Sequence, residues 1–315
     1  MRVLITGGVG SLGMEISKAF LQDGFNVRLL IRNRRHNRKR ASKLGRNVEV
    51  IYGDVTDPGS VREALQGVDA VIHLAGLILP DSERNPDLTY RINVGGTQTI
   101  VNMIREQGKS IPFVYTSSAS IFGPTPHATE PLDLDKYEYN PTDTYTETKV
   151  QAEELIKESG IDFVILRLTA VLNFDLKISQ FKDHTFRIPL NNRIEFCHIH
   201  DVALAMINAV KNFDKAKGHI LTVAGGPSQQ MIWGEMLERV LGTFGLPLPP
   251  ESKFSQSPFC LDWYDTSKSQ ELLDYQKRTM EDYYQEFAAQ FPRPLITVMQ
   301  RFIGPSIGKY IVRLM

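Results

Sequence analysis

The eight residues Thr6-Gly7-Gly8-Val9-Gly10-Ser11-Leu12-Gly13 stand between a β-rich run, Arg2–Ile5, and a helical pattern, Met14–Asp23. No other stretch restricts the fold so strongly. Glycines at this spacing permit a tight turn, close approach of backbone to a pyrophosphate, and close packing of helix on strand. The helix that follows presents unpaired N–H groups at its first turn, which suit phosphate oxygens. A strand, this turn and a helix in succession therefore predict a nucleotide-binding βα unit, with Gly7, Gly10, Ser11, Leu12 and Gly13 at the ligand.

Further β-rich runs follow at Asn26–Ile31, Val48–Tyr52, Ala70–Leu74, Pro112–Thr116 and Phe163–Leu168. Amphipathic stretches separate them at Ser60–Leu65, Asn93–Gln107 and Thr144–Ser159, and Asp57-Pro58 supplies a helix cap with proline in the first turn. Such alternation implies parallel βαβ units with right-handed crossovers. The expected class is α/β, a Rossmann-type doubly wound parallel sheet with a smaller, mostly helical C-terminal lobe. Residues 1–170 form the sheet domain, and 196–224 return to it through a helix at Asp201–Lys211 and a strand at Gly218–Val223. Residues 171–195 and 225–315 make the lobe and a helical tail, with Asn173–Glu195 irregular and Trp233–Phe244 helical.

Lysine plus arginine equals aspartate plus glutamate at 36 each, so no global charge points to nucleic acid. The charge is uneven, however: Arg28–Arg46 holds nine basic residues and no acid. Two cysteines without a CxxC motif fit a reducing compartment. The opening residues already read as strand and turn, leaving no room for a signal peptide, and no apolar run reaches membrane-spanning length. A cytoplasmic protein is expected.

At the end of the second strand, a carboxylate would hold a ribose 2′-hydroxyl, whereas an arginine accommodates a 2′-phosphate. The chain has Arg32-Asn33-Arg34-Arg35 there. NADP is thus the expected cofactor, with NAD as the alternative, and the farther residues Arg38, Lys39 and Arg40 read as a solvated basic loop. Tyr145 and Lys149, four apart in Tyr-Thr-Glu-Thr-Lys, share one helix face. A fixed ammonium beside a phenol favours the phenolate and lowers a pKa that is otherwise near 10.

Taken together, these features resemble the extended short-chain dehydrogenase/reductase family over about residues 1–240. The ordered motifs are the glycine turn; Gly53-Asp54-Val55-Thr56-Asp57; His73-Leu74-Ala75-Gly76; Asn93-Val94-Gly95-Gly96-Thr97; Thr116-Ser117-Ser118-Ala119-Ser120-Ile121-Phe122-Gly123; then Tyr145 and Lys149. The resemblance implies that Asp54 and Val55 lie against the adenine and that Leu74, Ala75 and Gly76 line the cofactor groove. It implies Tyr145 as general acid/base, Lys149 as its activator and ribose ligand, and Ser118 at the substrate oxygen. Asn93 would support that network, and Leu168 would pass the nicotinamide. No metal is expected. The family also implies a homodimer through helices starting near Asn93 and Tyr145, with Val94, Ile100, Val101 and Ile104 as its apolar surface.

The later half departs from a sugar-nucleotide enzyme. Arg193 is displaced by one position from the family's Arg-Asp-aromatic run, and its acidic partner is absent from Asn192–Asp201. Lys177, Lys182, Arg187 and Arg193 read equally as phosphate ligands or solvent-exposed charge. Three functions remain: an NAD(P)-dependent oxidoreductase acting on a small carbonyl or alcohol, an epimerase of a nucleotide sugar with tightly held NAD, and a non-catalytic dinucleotide sensor. His198 and His200, ahead of Asp201, are either a partial metal site or strand-end histidines. Two amphipathic basic segments after Pro292 read as a docked tail or as a peripheral membrane contact.

Overall fold

The computed structural model describes residues 1–125, 129–172 and 185–290. Seven parallel strands form its main sheet: β1 Arg2–Thr6, β2 Asn26–Ile31, β3 Val48–Tyr52, β4 Ala70–His73, β5 Phe113–Ser118, β6 Phe163–Leu168 and, later in the chain, β9 Ile220–Val223. Their spatial order is β3-β2-β1-β4-β5-β6-β9. Most of these strands are near-continuous apolar runs such as Val3-Leu4-Ile5, as expected where helices cover both faces. The order reverses between β1 and β4, which opens a crevice at the carboxyl ends of those strands.

Helix α1 (Ser11–Gln22) covers one face, where Ala41 from the next helix joins its core. Next come α2 (Arg35–Ala41), α3 (Pro58–Ala64), two short helices α4 (Asp81–Arg84) and α5 (Pro86–Tyr90), α6 (Gly96–Glu106) and α7 (Thr144–Glu158). Val61, Ile100, Ile104 and Ile156 from α3, α6 and α7 pack against Leu4, Val71 and Ile165 of the sheet. Ile100, Val101 and Ile104 are buried within the chain's own core. The outer groove between α6 and α7 is lined by Val94, Val101 and Leu155 together with Gln98, Arg105, Gln151, Glu154 and Glu158.

On the opposite face, α8 (Ile199–Lys211) packs along α1, bringing Val202, Met206 and Val210 against Ile16 and Phe20. The expected strand at 218–223 is β9, hydrogen-bonded to β6. A second, three-stranded sheet was not foreseen. It contains β7 (Ala170–Leu172), β8 (Arg193–His198) and β10 (Gln230–Ile232), in the order β10-β8-β7. Phe196–His198 thus belong to this small sheet, and the return to the main sheet begins with α8.

The lobe is completed by α10 (Trp233–Gly242), α11 (Ser267–Leu273) and α12 (Met280–Ala289), α9 being the four-residue turn Phe213–Ala216. Ile194, Phe196, Trp233, Leu237, Met280 and Tyr283 form its core. The basic segments after Pro292 lie outside the described residues. Among the described residues, no helix is long and apolar enough to cross a membrane.

Candidate active site

The turn between β1 and α1 is built as its glycines require. Gly7 has φ +71°, and a Cβ there would lie 2.8 Å from the Ala75 nitrogen. At Gly13 a Cβ would meet the Gly7 carbonyl oxygen at 2.2 Å. Only glycine lets α1 start this close to β1, with its open N-terminus facing the crevice. The crevice is a groove of 560 Å³, lined at this end by Gly7, Val9, Gly10 and Ser11. Asp54, Val55, Leu74, Ala75 and Gly76 also line it.

Leu12 and Gly13 stand behind the turn, where Leu12 packs on the core. Leu168 sits in register with Ser118 at the strand ends, with its side chain buried in the core cluster. Asp54 is oriented by Thr56, whose backbone N–H and hydroxyl both donate to its Oδ1, at 3.0 and 2.9 Å.

Arg32 lines the groove, and so do His36 and Arg40. These last two lie one turn apart on α2, a helix within the stretch expected to be loop. Arg40 Nη2 donates to the Gly10 carbonyl at 3.1 Å, so its guanidinium spans from α2 to the glycine turn. Arg40 therefore belongs to the groove and not to a solvated loop. The i,i+4 spacing of His36 and Arg40 carried this signal, but α2 has only Ala41 as an apolar anchor, and no hydrophobic period announced it.

Helix α7 starts from a capping box in which Asp143 accepts the Thr146 N–H at 2.8 Å and Thr146 Oγ1 accepts the Asp143 N–H at 3.1 Å. That start fixes the register that sends Lys149, Glu153 and Ile156 inward and leaves Tyr145 half-buried; Tyr145, Lys149 and Ser118 are not among the residues lining the groove. Ser118 ends β5 opposite it, with its hydroxyl 2.7 Å from that of Ser120. Burial pushes the Tyr145 phenol up to about 12; the Ser118 hydroxyl, hydrogen-bonded to it, opposes the rise and Asp143 adds to it.

The ammonium of Lys149 does not lower this value as expected. Its Nζ donates to the Thr116 carbonyl at 2.6 Å and to the Tyr115 hydroxyl at 3.2 Å, and it lies 5.8 Å from the centre of the Tyr145 ring. Desolvation brings Lys149 itself down to about 8. Burial, not pairing, governs both groups. Asn93 is buried and grips the loop after β4: its Oδ1 accepts the Leu77 N–H at 2.7 Å, while Nδ2 donates to Leu77 O and to Thr148 Oγ1. It positions the groove wall relative to α7.

In the lobe, Arg193 has an acidic partner after all. Its Nε lies 2.7 Å from Asp262 Oδ1, and its guanidinium stacks 4.2 Å above the Trp263 ring. The acid comes from a distant loop, which is why local reading missed it. Arg187 is exposed, and Lys177 and Lys182 lie outside the described residues.

Next to His198 and His200 stands a carboxylate, Glu286, and the three could in principle converge on a metal. Their hydrogen bonding says otherwise. His198 Nδ1 accepts the His200 N–H, so its proton sits on Nε2, which faces Glu286 at 3.3 Å. Arg278 bonds both Glu286 and His200. Arg278 thus ties the two histidines and Glu286 into one hydrogen-bond and ion-pair network.

Fold and groove define a dinucleotide-binding α/β protein of the doubly wound type. A family profile described as the NAD dependent epimerase/dehydratase family matches residues 3–224, and the chain belongs to that family. The uncharacterised protein y4nG of Sinorhizobium fredii is 33% identical over 230 residues, 67% of this chain and 54% of that one. CDP-paratose 2-epimerase of Salmonella typhi is 30% identical over 46% of this chain and 42% of its own length. The chain thus spans about half the length of these first curated relatives. Sterol demethylase protein B of Methylococcus capsulatus is 26% identical over 79% of this chain and 76% of that protein. Among solved structures, UDP-glucose-4-epimerase of Stenotrophomonas maltophila with bound NAD superposes with a TM-score of 0.76 at 17% identity, covering 96% of this chain and 99% of that one. An Agrobacterium tumefaciens short-chain dehydrogenase/reductase superfamily protein with bound NAD gives the same score at 18% identity, covering 92% and 96%.

Proposed function

We propose that the protein is an oxidoreductase of the extended short-chain type, using NADP to interconvert a carbonyl and an alcohol. The observation that carries this reading is the Ser118 hydroxyl hydrogen-bonded to the Tyr145 phenol at the carboxyl end of β5. The residues fit the cofactor: the cradle at Gly7 and Gly13 admits only backbone, and the α1 N-terminus faces the phosphate position. A bound nicotinamide supplies or accepts the hydride. Ser118 holds the substrate oxygen, and Tyr145, neutral at pH 7 with its phenol near 12, donates its proton to that oxygen during reduction. Lys149, with one N–H left after those given to Tyr115 and Thr116, would hold the nicotinamide ribose beside the phenol.

Arg32, His36 and Arg40 along the end of β2 support a 2′-phosphate, and therefore NADP over NAD. The relatives called D-erythronate dehydrogenase and 3 beta-hydroxysteroid dehydrogenase/Delta 5-->4-isomerase support net redox chemistry. A nucleotide-sugar epimerase is the second reading, favoured by the likeness to CDP-paratose 2-epimerase. Against it, Arg193 is engaged by Asp262 and Trp263, so its charge is not presented to a diphosphate. The third possibility, a sensor, has no use for the Ser118–Tyr145 pair.

Titration of the protein with NADPH, NADH and UDP-glucose, followed by cofactor fluorescence and thermal shift, tests the reading. We expect tighter binding of NADPH than NADH and no shift with the sugar nucleotide. A shift with UDP-glucose, together with NAD retained through purification, would establish the epimerase instead. Tyr145→Phe should keep NADPH affinity within about twofold, since the phenol acts on substrate and not on the adenosine end.

A further inference from the structure

Behind the Tyr145–Ser118 pair, a line of buried polar groups runs from the ammonium of Lys149 through the sheet to the cofactor groove. We propose that Tyr115, Thr97, His73 and Thr6 form a positioning chain that holds the Lys149 ammonium in place and ties it to the groove wall at Ala75. This deepens the reading of Lys149 given above and rests on it.

The direction of every hydrogen in the chain follows from its fixed ends. The Ala75 backbone N–H can only donate, and it lies 3.3 Å from Thr6 Oγ1. Thr6 Oγ1 is 2.6 Å from His73 Nδ1, and His73 Nε2 is 3.0 Å from Thr97 Oγ1. Thr97 gives its own hydrogen to the Asn93 carbonyl at 2.6 Å, so it must accept from the imidazole. His73 therefore carries its proton on Nε2, and Nδ1 accepts from Thr6.

On the other side, Lys149 donates to the Tyr115 oxygen at 3.2 Å, and Thr97 stands beside the same phenol; with the Thr97 hydrogen already given to Asn93, the Tyr115 hydroxyl is the one left to donate between them. Each oxygen and nitrogen thus has one consistent role, with no conflict along the line. Thr6, His73, Thr97, Tyr115 and Lys149 are all buried. A group left unpaired in such surroundings loses its hydration with no return, so the chain has a single low-energy arrangement.

The consequence falls on Lys149. Two of its three N–H bonds go to Tyr115 and Thr116, and its Nζ also lies 4.6 Å from the centre of the Tyr115 ring. One N–H remains for the crevice. The charged and titratable groups around it are His73 from β4, Tyr115 from β5, and Tyr145 and Glu153 from its own helix. Of these, Glu153 favours the ammonium, while His73 is held neutral, its pKa pushed down to about 3 by burial and by the Lys149 charge. The phenol oxygen of Tyr115 is thus one of the few features that keep a buried ammonium protonated near neutrality. A phenylalanine in its place would keep the ring face beside Nζ but lose the oxygen acceptor.

The test reads Lys149 directly, without cofactor or substrate. Protein labelled with ¹³Cε-lysine is titrated by NMR, with Lys149 assigned by its loss in Lys149→Met. Wild type is expected to titrate near 8. Tyr115→Phe removes the acceptor and should lower the midpoint by about one pH unit, the size of one hydrogen bond to a charged group. Thr97→Val should lower it by less, and Thr97→Ser should restore the wild-type midpoint.

If Tyr115→Phe does not fold, the threonine pair decides alone. A lowered midpoint rescued by serine supports the chain, and an unchanged midpoint in Thr97→Val overturns it. Unchanged midpoints in both Tyr115→Phe and Thr97→Val, whatever their melting temperatures, likewise overturn it. Failure of NADPH to bind wild type would count against the oxidoreductase reading and leave the midpoints to judge the chain separately.

Discussion

A single methyl group added at Gly13 would place carbon 2.2 Å from the Gly7 carbonyl and 2.8 Å from the Gly8 Cα. Neither neighbour is a side chain that can swing aside. Gly13→Ala must therefore push α1 away from β1, and overpacking of this kind costs about 1–3 kcal/mol. The same displacement spoils the N–H groups at the phosphate site. We expect a lower melting temperature together with a loss of NADPH affinity of at least about tenfold, or about 1.4 kcal/mol. A variant of normal stability and normal affinity would show that the turn is not the phosphate cradle. Glycines were legible in sequence because what they supply is an absence, which no partner elsewhere in the chain can alter. The protonation of Tyr145 was not legible: its phenol responds to burial and to where the Lys149 ammonium points, and both depend on β5 residues far away in sequence.

At the scale of elements, α7 is held to the sheet by a charge pair as well as by apolar contacts. Arg167 on β6 donates to both oxygens of Glu153, from Nε at 3.0 Å and from Nη2 at 2.7 Å. Glu153 is fully buried, and Tyr139 donates to its Oε2 at 2.9 Å. The guanidinium also lies 4.9 Å from the Phe122 ring, which places it in the wall next to Ser118's loop. Glu153→Gln leaves the buried Arg167 with only the exposed Asp135 carboxylate, 4.0 Å away, as counter-charge, and breaking a buried pair costs about 3–5 kcal/mol. Urea unfolding should show that loss. A change under about 1 kcal/mol would mean that the pair is solvated and that α7 is anchored by Ala152 and Ile156 alone. The long elements of the main sheet could be read because their patterns are local and apolar. The second sheet could not: β8 alternates Arg193, Glu195 and Cys197 with apolar residues, yet it is buried throughout. Its charge is satisfied only from outside, since Glu195 accepts the Gly226 and Tyr264 N–H groups and Arg193 meets Asp262.

Across the whole molecule the charges balance at 36 of each sign, but the basic stretch from Arg28 to Arg46 does not act as one patch. Arg28 turns inward to Glu49 and to the Ala64 and Gln66 carbonyls. Arg34, Arg35 and Arg38 face solvent, while Arg32, His36 and Arg40 line the groove. Sequence alone put all the farther cations in solvent because the division depends on a helix that no hydrophobic period marks. Arg40 also reaches the glycine turn, so it could serve either a 2′-phosphate or the pyrophosphate that every dinucleotide carries. The two roles separate cleanly in Arg40→Ala. If it serves the 2′-phosphate, NADPH binding should weaken about tenfold or more at low salt, the value of one charge-assisted hydrogen bond, while NADH binding stays unchanged. The salt dependence of NADPH binding should also fall, since a partly exposed charge pair is screened over a Debye length of about 8–10 Å near physiological ionic strength. Equal weakening of both cofactors would assign Arg40 to the pyrophosphate, and the preference for NADP would then depend on Arg32 and His36.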